Sequence, residues 1–137
     1  MEPVKIFSDT PQLKCSHCGK NLLNDPKNGN FIVFEKGEDL QCIRYACKEH
    51  DKQVTDAAKK EGLKDAGWDD IDDLLIPTIW LKKFMAFINE MREKNENISD
   101  QYFGDVKMMF INTFPYVARN MTKNEFEKFG KLMQLES

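Results

Sequence analysis

The spacing of hydrophobic and polar positions changes along the chain, from a strand-like to a helical pattern. Phe31–Phe34 consists of β-branched and aromatic residues, which predicts a strand. Residues 40–46 are predicted to form its partner, because Lys36–Asp39 carries a turn signal between them. Beyond this hairpin, apolar residues recur at helical spacing, and the first helix is predicted over Cys47–Glu61.

The second helix is predicted over 77–94, with its apolar residues on one face. That face runs from Ile76 to Met91, and Pro77 suits the first turn because its missing N–H is not needed there. Residues 62–73 lie between the two helices and show no sustained period. They are expected to form a connector.

Two more helices are predicted beyond this point. Ser99 is placed to cap the first of them, and Pro115 is expected to bend or end it. Thr122 and Glu125 match a capping box, which predicts that the last helix starts here. Its inward face is expected to contain Phe126, Phe129 and Met133.

Cysteine and histidine residues add a candidate metal site to the amino-terminal part. Cys15 and Cys18 form a C-x2-C pair, and Cys47 and His50 form a C-x2-H pair after twenty-eight intervening residues. Two tight pairs from separate segments are typical of four-coordinate zinc. Since all four positions are supplied by the protein, the pattern predicts one structural Zn²⁺ rather than a catalytic ion. The start of the predicted helix is also expected to favour the thiolate of Cys47.

Cys42 leaves a second ligand set open, in which it replaces His50. A regular strand through Cys42 and Cys47 would place their side chains on opposite faces, so the set with His50 is preferred. His17 lies inside the first pair and is expected to point towards solvent. Without any metal, the cysteines would simply be small buried hydrophobic residues.

The order of ligand pair, hairpin and helix resembles the treble-clef zinc finger, the class that includes LIM-like and GATA-like modules. The resemblance covers residues 15–61, with 31–46 as the hairpin. His50 stands where many members have cysteine, and the loop over 19–30 is longer than in the tightest members. The resemblance implies a zinc-organised fold and no particular activity.

These patterns predict an α+β chain in two parts. Residues 1–66 would form the zinc-binding module, and residues 67–137 a bundle of about three helices. A module of about 50 residues buries too little apolar surface to fold alone, which is why a metal ion is expected in the first part.

Charge and hydropathy narrow the function classes. The net charge is −3, and residues 51–80 carry four lysines against eight acidic residues. No basic field favours general binding to nucleic acid. No apolar run approaches the ~18 residues of a membrane span, and Met1–Thr10 lacks the layout of a signal peptide. A cytoplasmic protein with no membrane contact is therefore expected, in which cysteines serve as ligands more often than as disulfides.

The leading functional hypothesis is a non-enzymatic binding, adaptor or regulatory protein with a protein partner. Residues 81–137 contain seven Phe and six Met, more than three helices need for a core, and Met108-Met109 is the candidate contact point. The alternative is a nucleic-acid-binding regulator that uses Arg44, Tyr45 and Lys48 beside the hairpin.

A metalloenzyme is the third hypothesis. Nucleobase deaminases need H-x-E and P-C-x-x-C, and the chain has neither. A ββα-metal nuclease needs further histidines, whereas only His17 remains once His50 is a ligand. No catalytic residue is therefore assigned, and a small-molecule substrate is not expected.

Overall fold

The computed structural model describes residues 11–135, with side chains through Lys131. In this part of the chain, three strands form one antiparallel sheet and five α-helices accompany it. The strands are β1 (Gly29–Lys36), β2 (Asp39–Cys47) and β3 (Lys64–Asp70). The helices are α1 (Asp51–Lys60), α2 (Ile71–Leu74), α3 (Pro77–Glu93), α4 (Asp100–Arg119) and α5 (Lys123–Leu135). The predicted α+β class is confirmed.

The predicted hairpin is present, and its turn is set by one glycine. Lys36 pairs with Asp39, which leaves a two-residue loop of Gly37 and Glu38. Gly37 has φ of +64°, a conformation that suits a tight hairpin turn and that side chains with a Cβ rarely adopt.

Strand β3 corrects the sequence prediction for 62–73. Those residues form a strand and a short helix instead of an irregular connector. β3 pairs antiparallel with β1, with Trp68 opposite Ile32, and the register shifts between Val33 and Phe34. The boundary predicted between residues 66 and 67 therefore falls inside a strand.

The hairpin of β1 and β2 contributes side chains to two separate cores. The smaller core lies where α1 packs, and it consists of Ile32, Phe34, Cys42, Ala46, Val54, Ala58 and Leu63. The larger core joins residues of the amino-terminal ligand segment, such as Leu13 and Cys15, to Trp80, Tyr102 and Val117 of the helices. The two predicted parts thus share their main core, while the division of the chain into 1–66 and 67–137 stays a prediction.

Strand β2 is tied to the surrounding chain along its outer edge. Tyr45 O accepts a hydrogen bond from Ser16 N at 2.8 Å, and the Leu40 N–H donates to Asn97 O at 2.8 Å. Between them, the carboxylate of Asp105 accepts from Ile43 N at 2.9 Å. These contacts fix α4 and the first ligand pair against the same strand.

Helix α4 is longer than predicted. Ser99 caps it as expected, since its Oγ accepts from Tyr102 N at 2.9 Å. Pro115 lies inside the helix and does not end it. A proline in the interior of a helix lowers the stability of the helix by about 3 kcal/mol. We attribute its tolerance to packing beyond it, where Val117 is fully buried and Asn120 Nδ2 donates to Leu75 O at 3.3 Å.

The last helix begins at the predicted capping box, which is confirmed. Glu125 N donates to Thr122 Oγ1 at 3.1 Å, and Thr122 N donates to Glu125 Oε1 at 3.0 Å. The predicted inward face is wrong at Phe126, which is 54% exposed, whereas Phe129 packs against the larger core. The side chain of Met133 lies outside the described residues.

Within residues 11–135, no helix combines the length and the apolar character that crossing a bilayer demands.

Candidate metal centre and apolar groove

The four predicted ligands converge on one point. The ligand atoms of Cys15, Cys18, Cys47 and His50 all lie within 4.8 Å of one another. Cys18 Sγ is 3.6 Å from Cys47 Sγ, and Cys15 Sγ is 3.9 Å from His50 Nδ1. Two sulfurs held about 2.3 Å from a tetrahedral zinc ion would be about 3.8 Å apart. The donor set and its spacing therefore fit a four-coordinate metal ion.

The first ligand pair is held by a tight turn. Cys15 N donates to Lys20 O and Gly19 N donates to Cys15 O, each at 2.9 Å. Gly19 has φ of +78°, which only glycine adopts at little cost. The turn thereby aims both sulfurs to one side while its backbone stays hydrogen-bonded.

The second pair is built differently from the prediction. Cys47 is the last residue of β2, and His50 ends a short 3₁₀ helix over Lys48–His50, so the α-helix starts only at Asp51. Cys47 is the N-cap of this 3₁₀ helix, with φ of −57° and ψ of 145°. One short turn therefore brings its side chain and that of His50 to the same site.

Ionisation in the metal-free chain centres on Cys15, not on Cys47 as expected. Burial opposes ionisation of Cys15, yet hydrogen bonds from the backbone of Cys18, Cys47 and His17 and from the His50 side chain lower its pKa to about 6. Burial, together with the nearby sulfurs of Cys18 and Cys15, raises the pKa of Cys47 to about 12. His17 N and Cys47 N both donate to Cys15 Sγ at 3.4 Å. The site therefore stabilises one thiolate before any cation arrives.

The alternative ligand Cys42 lies elsewhere. It is 7% exposed within the smaller core, and burial raises the pKa of its thiol. It is not a member of the four-residue cluster. His17 is exposed as expected, with its ring centroid 4.6 Å from that of His50.

The residues predicted to contact nucleic acid do not form a free basic surface. Arg44 forms a two-point ion pair with Glu61 and lies over the ring of Phe34. Lys48 Nζ is 3.4 Å from a carboxylate oxygen of Asp70. Tyr45 is half-buried against the larger core, and burial raises the pKa of its hydroxyl.

The structure separates the two methionines predicted to contact a partner. Met108 is 48% exposed, whereas Met109 is fully buried in the larger core. Met109 is therefore wrong as a surface residue, while Met108 is accessible.

An apolar groove between α3 and α4 is the feature that the sequence did not reveal. It has a volume of about 640 Å³, and among the described residues that line it Lys107 is the one with a charge. Ile88 and Phe103 line it and are 40% and 57% exposed. The spacing of Phe103, Lys107, Ile111 and Phe114 places one side of α4 along it, a signal present in the sequence but hidden among many apolar positions.

Comparisons of the chain with protein-family models, with curated proteins and with solved structures found no match.

Proposed function

We propose that the chain is a non-enzymatic, zinc-stabilised module that binds a protein partner through the groove between α3 and α4. The groove is the observation that supports this proposal. Ordinary surface hydrophobic residues are scattered, whereas here exposed apolar side chains from two helices line one concavity. Apolar grooves between helices are common sites of peptide recognition.

Zinc is the proposed ion because of the donor set. Three sulfurs and one imidazole nitrogen favour zinc over magnesium or calcium, which prefer oxygen ligands. We assign the segment over 15–61 to the treble-clef class, supported by the order of ligand pair, hairpin, second ligand pair and helix.

We assign the ion a structural role. When bound, it would supply four protein bonds that hold the turn at Cys15–Cys18 against the end of β2. Four protein donors within one cluster leave no position for a substrate. Cys15 and Cys47 also belong to the larger core, so loss of the ion should be transmitted to the helices that form the groove.

A cytoplasmic location is part of the proposal. All four cysteines are free thiols in the structure, and a reducing compartment keeps them available as ligands.

Site-specific photo-crosslinking in the producing cell tests the partner-binding proposal. A photoreactive phenylalanine analogue replaces Phe103 in one variant and Phe126 in another; the two side chains are similarly exposed, but only Phe103 lines the groove. We expect a discrete protein adduct from position 103 and none from position 126. Equal adducts from both positions, or adducts to nucleic acid alone, would refute it.

A further inference from the structure

The shape of the groove suits one bound helix. Trp80 contacts Phe114 with ring centroids 5.6 Å apart, and Phe84 contacts Phe110 at 5.3 Å, so α3 and α4 run antiparallel along its walls. On α4 the lining extends from Phe103 to Phe114, a rise of about 16 Å at 1.5 Å per residue. An occupant of about three helical turns matches that length.

Different elements border the two ends of the groove. Phe129 of α5 lies 5.8 Å from Trp80 and 5.5 Å from Phe114, measured between ring centroids, and lies at one end. At the opposite end the surface continues past Met91 and Phe103 into a second concavity.

The chemistry of the lining favours a helix over an extended peptide. Apart from Lys107, the lining residues within 11–131 are all apolar, and the Trp80 indole N–H already donates to Thr113 Oγ1 at 2.9 Å. An extended segment would leave backbone N–H and C=O groups without partners in such a groove. A helix satisfies these groups internally and presents only its apolar stripe.

Two cations flank the groove on a chain that is acidic overall. Lys107 lines it, and Arg92 lines the continuation past Phe103. Within residues 11–131, no carboxylate forms an ion pair with either cation. Asp100 also lines the continuation and is the one acidic side chain there in the part of the chain that the structure describes. The described residues that line the groove and its continuation therefore include two cations and one carboxylate, an excess of positive charge that complements an acidic flank on the occupant.

We propose that the partner presents an amphipathic helix of about three turns, with apolar residues at i, i+4 and i+7 in the groove and acidic residues facing Lys107 and Arg92. This inference depends on the proposed function, because it specifies what the same groove binds.

Selection from two displayed peptide libraries tests the inference on the zinc-loaded full chain. One library presents randomised segments of about 14 residues on a rigid helical scaffold, and the other presents them unconstrained. We expect enrichment only from the helical library, with apolar residues at i, i+4 and i+7 and with Asp or Glu on the flank. No enrichment, or enrichment of unconstrained sequences only, would reject the helix.

Variants of the chain then locate the selected peptide and test the charge pairing by fluorescence anisotropy. Phe103→Gln should weaken binding more than about tenfold, while its control Phe126→Gln leaves it unchanged. Lys107→Glu should weaken binding about tenfold, Lys82→Glu should have no effect, and a peptide with its acidic residues changed to lysine should recover affinity for Lys107→Glu.

The outcomes separate this inference from the function on which it depends. If Phe103→Gln abolishes binding but Lys107→Glu does not weaken it, the acidic helix is refuted and the groove remains a binding site. If Phe103→Gln binds the peptide as tightly as the wild type does, both the acidic helix and the groove as a binding site are refuted. If palmitate displaces the labelled peptide at a lower concentration than the unlabelled peptide does, the groove is assigned to lipid. Sedimentation showing a dimer that Phe103→Gln dissociates would assign it to a second copy. Either result overturns the inference.

Discussion

Two buried cysteines on the same strand offer a matched test of the metal centre. Cys42 and Cys47 both lie on β2 and are 7% and 3% exposed, but only Cys47 belongs to the four-residue cluster. Serine at either position buries a hydroxyl group in a largely apolar environment. That change costs about 1–3 kcal/mol of unfolding free energy. Any loss of unfolding free energy in Cys47→Ser beyond that in Cys42→Ser therefore measures the contribution of the metal ion.

The additional loss can be estimated. Replacing residues that merely orient a metal ligand lowers metal affinity 10–100-fold, so removing a ligand should cost at least about 100-fold. At saturating zinc, that factor corresponds to about 2.7 kcal/mol of unfolding free energy. We therefore expect Cys47→Ser to be less stable than Cys42→Ser by at least about 2.7 kcal/mol at the same free zinc concentration.

Urea unfolding followed by tryptophan fluorescence measures the difference. Trp80 is 3% exposed and Trp68 is 65% exposed, so the emission change on unfolding comes mainly from Trp80 in the larger core. Each variant is unfolded with zinc and with excess chelator. Zinc should stabilise the wild type and Cys42→Ser strongly and Cys47→Ser weakly. If zinc stabilises both variants equally, or if Cys42→Ser alone loses the zinc effect, the ligand assignment is refuted.

Three further predictions concern the thiolate and the packing of the helices. In the metal-free chain, absorbance near 240 nm should show a thiolate that forms with a midpoint near pH 6, because hydrogen bonds outweigh burial and lower the pKa of Cys15 to about 6. The contribution of this thiolate to the unfolding free energy is lost as pH falls through 6. Cys15→Ser should remove the absorbance step. Thr113→Val should lower the unfolding free energy by about 1–3 kcal/mol, since it leaves the buried Trp80 indole N–H without an acceptor; an unchanged urea midpoint would contradict this. Ser99→Ala should cost about 1–2 kcal/mol in the same assay, since the hydroxyl caps α4 at Tyr102 N and donates to Gln41 O, and Ser99→Thr, which keeps the hydroxyl, should retain more stability than alanine.

The sequence was sufficient for the features that depend on local chemistry. Ligand spacing predicted the four residues that converge, and a run of β-branched and aromatic residues followed by a turn signal predicted the hairpin. The caps at Ser99 and Thr122 follow from side-chain hydrogen bonds within three residues, so they too were predictable.

Features that depend on distant contacts were not predictable in this way. Strand β3 contains Asp, Gly and Lys, which have low strand propensity, and it forms because the edge of β1 supplies its hydrogen bonds. Helix α4 continues through Pro115 because residues beyond the proline are buried. Phe126 fits a helical apolar stripe as well as Phe129 does, yet of the two only Phe129 packs against the ring of Trp80.

X-ray absorption at the zinc edge on the purified chain tests the metal centre most directly. We predict one zinc ion per chain, with three sulfur neighbours at about 2.3 Å and one nitrogen neighbour at about 2.0–2.1 Å. In His50→Ala the imidazole signal should disappear while the sulfur shell stays. A chain purified without stoichiometric metal, or a zinc ion surrounded mainly by oxygen, would contradict the proposed centre.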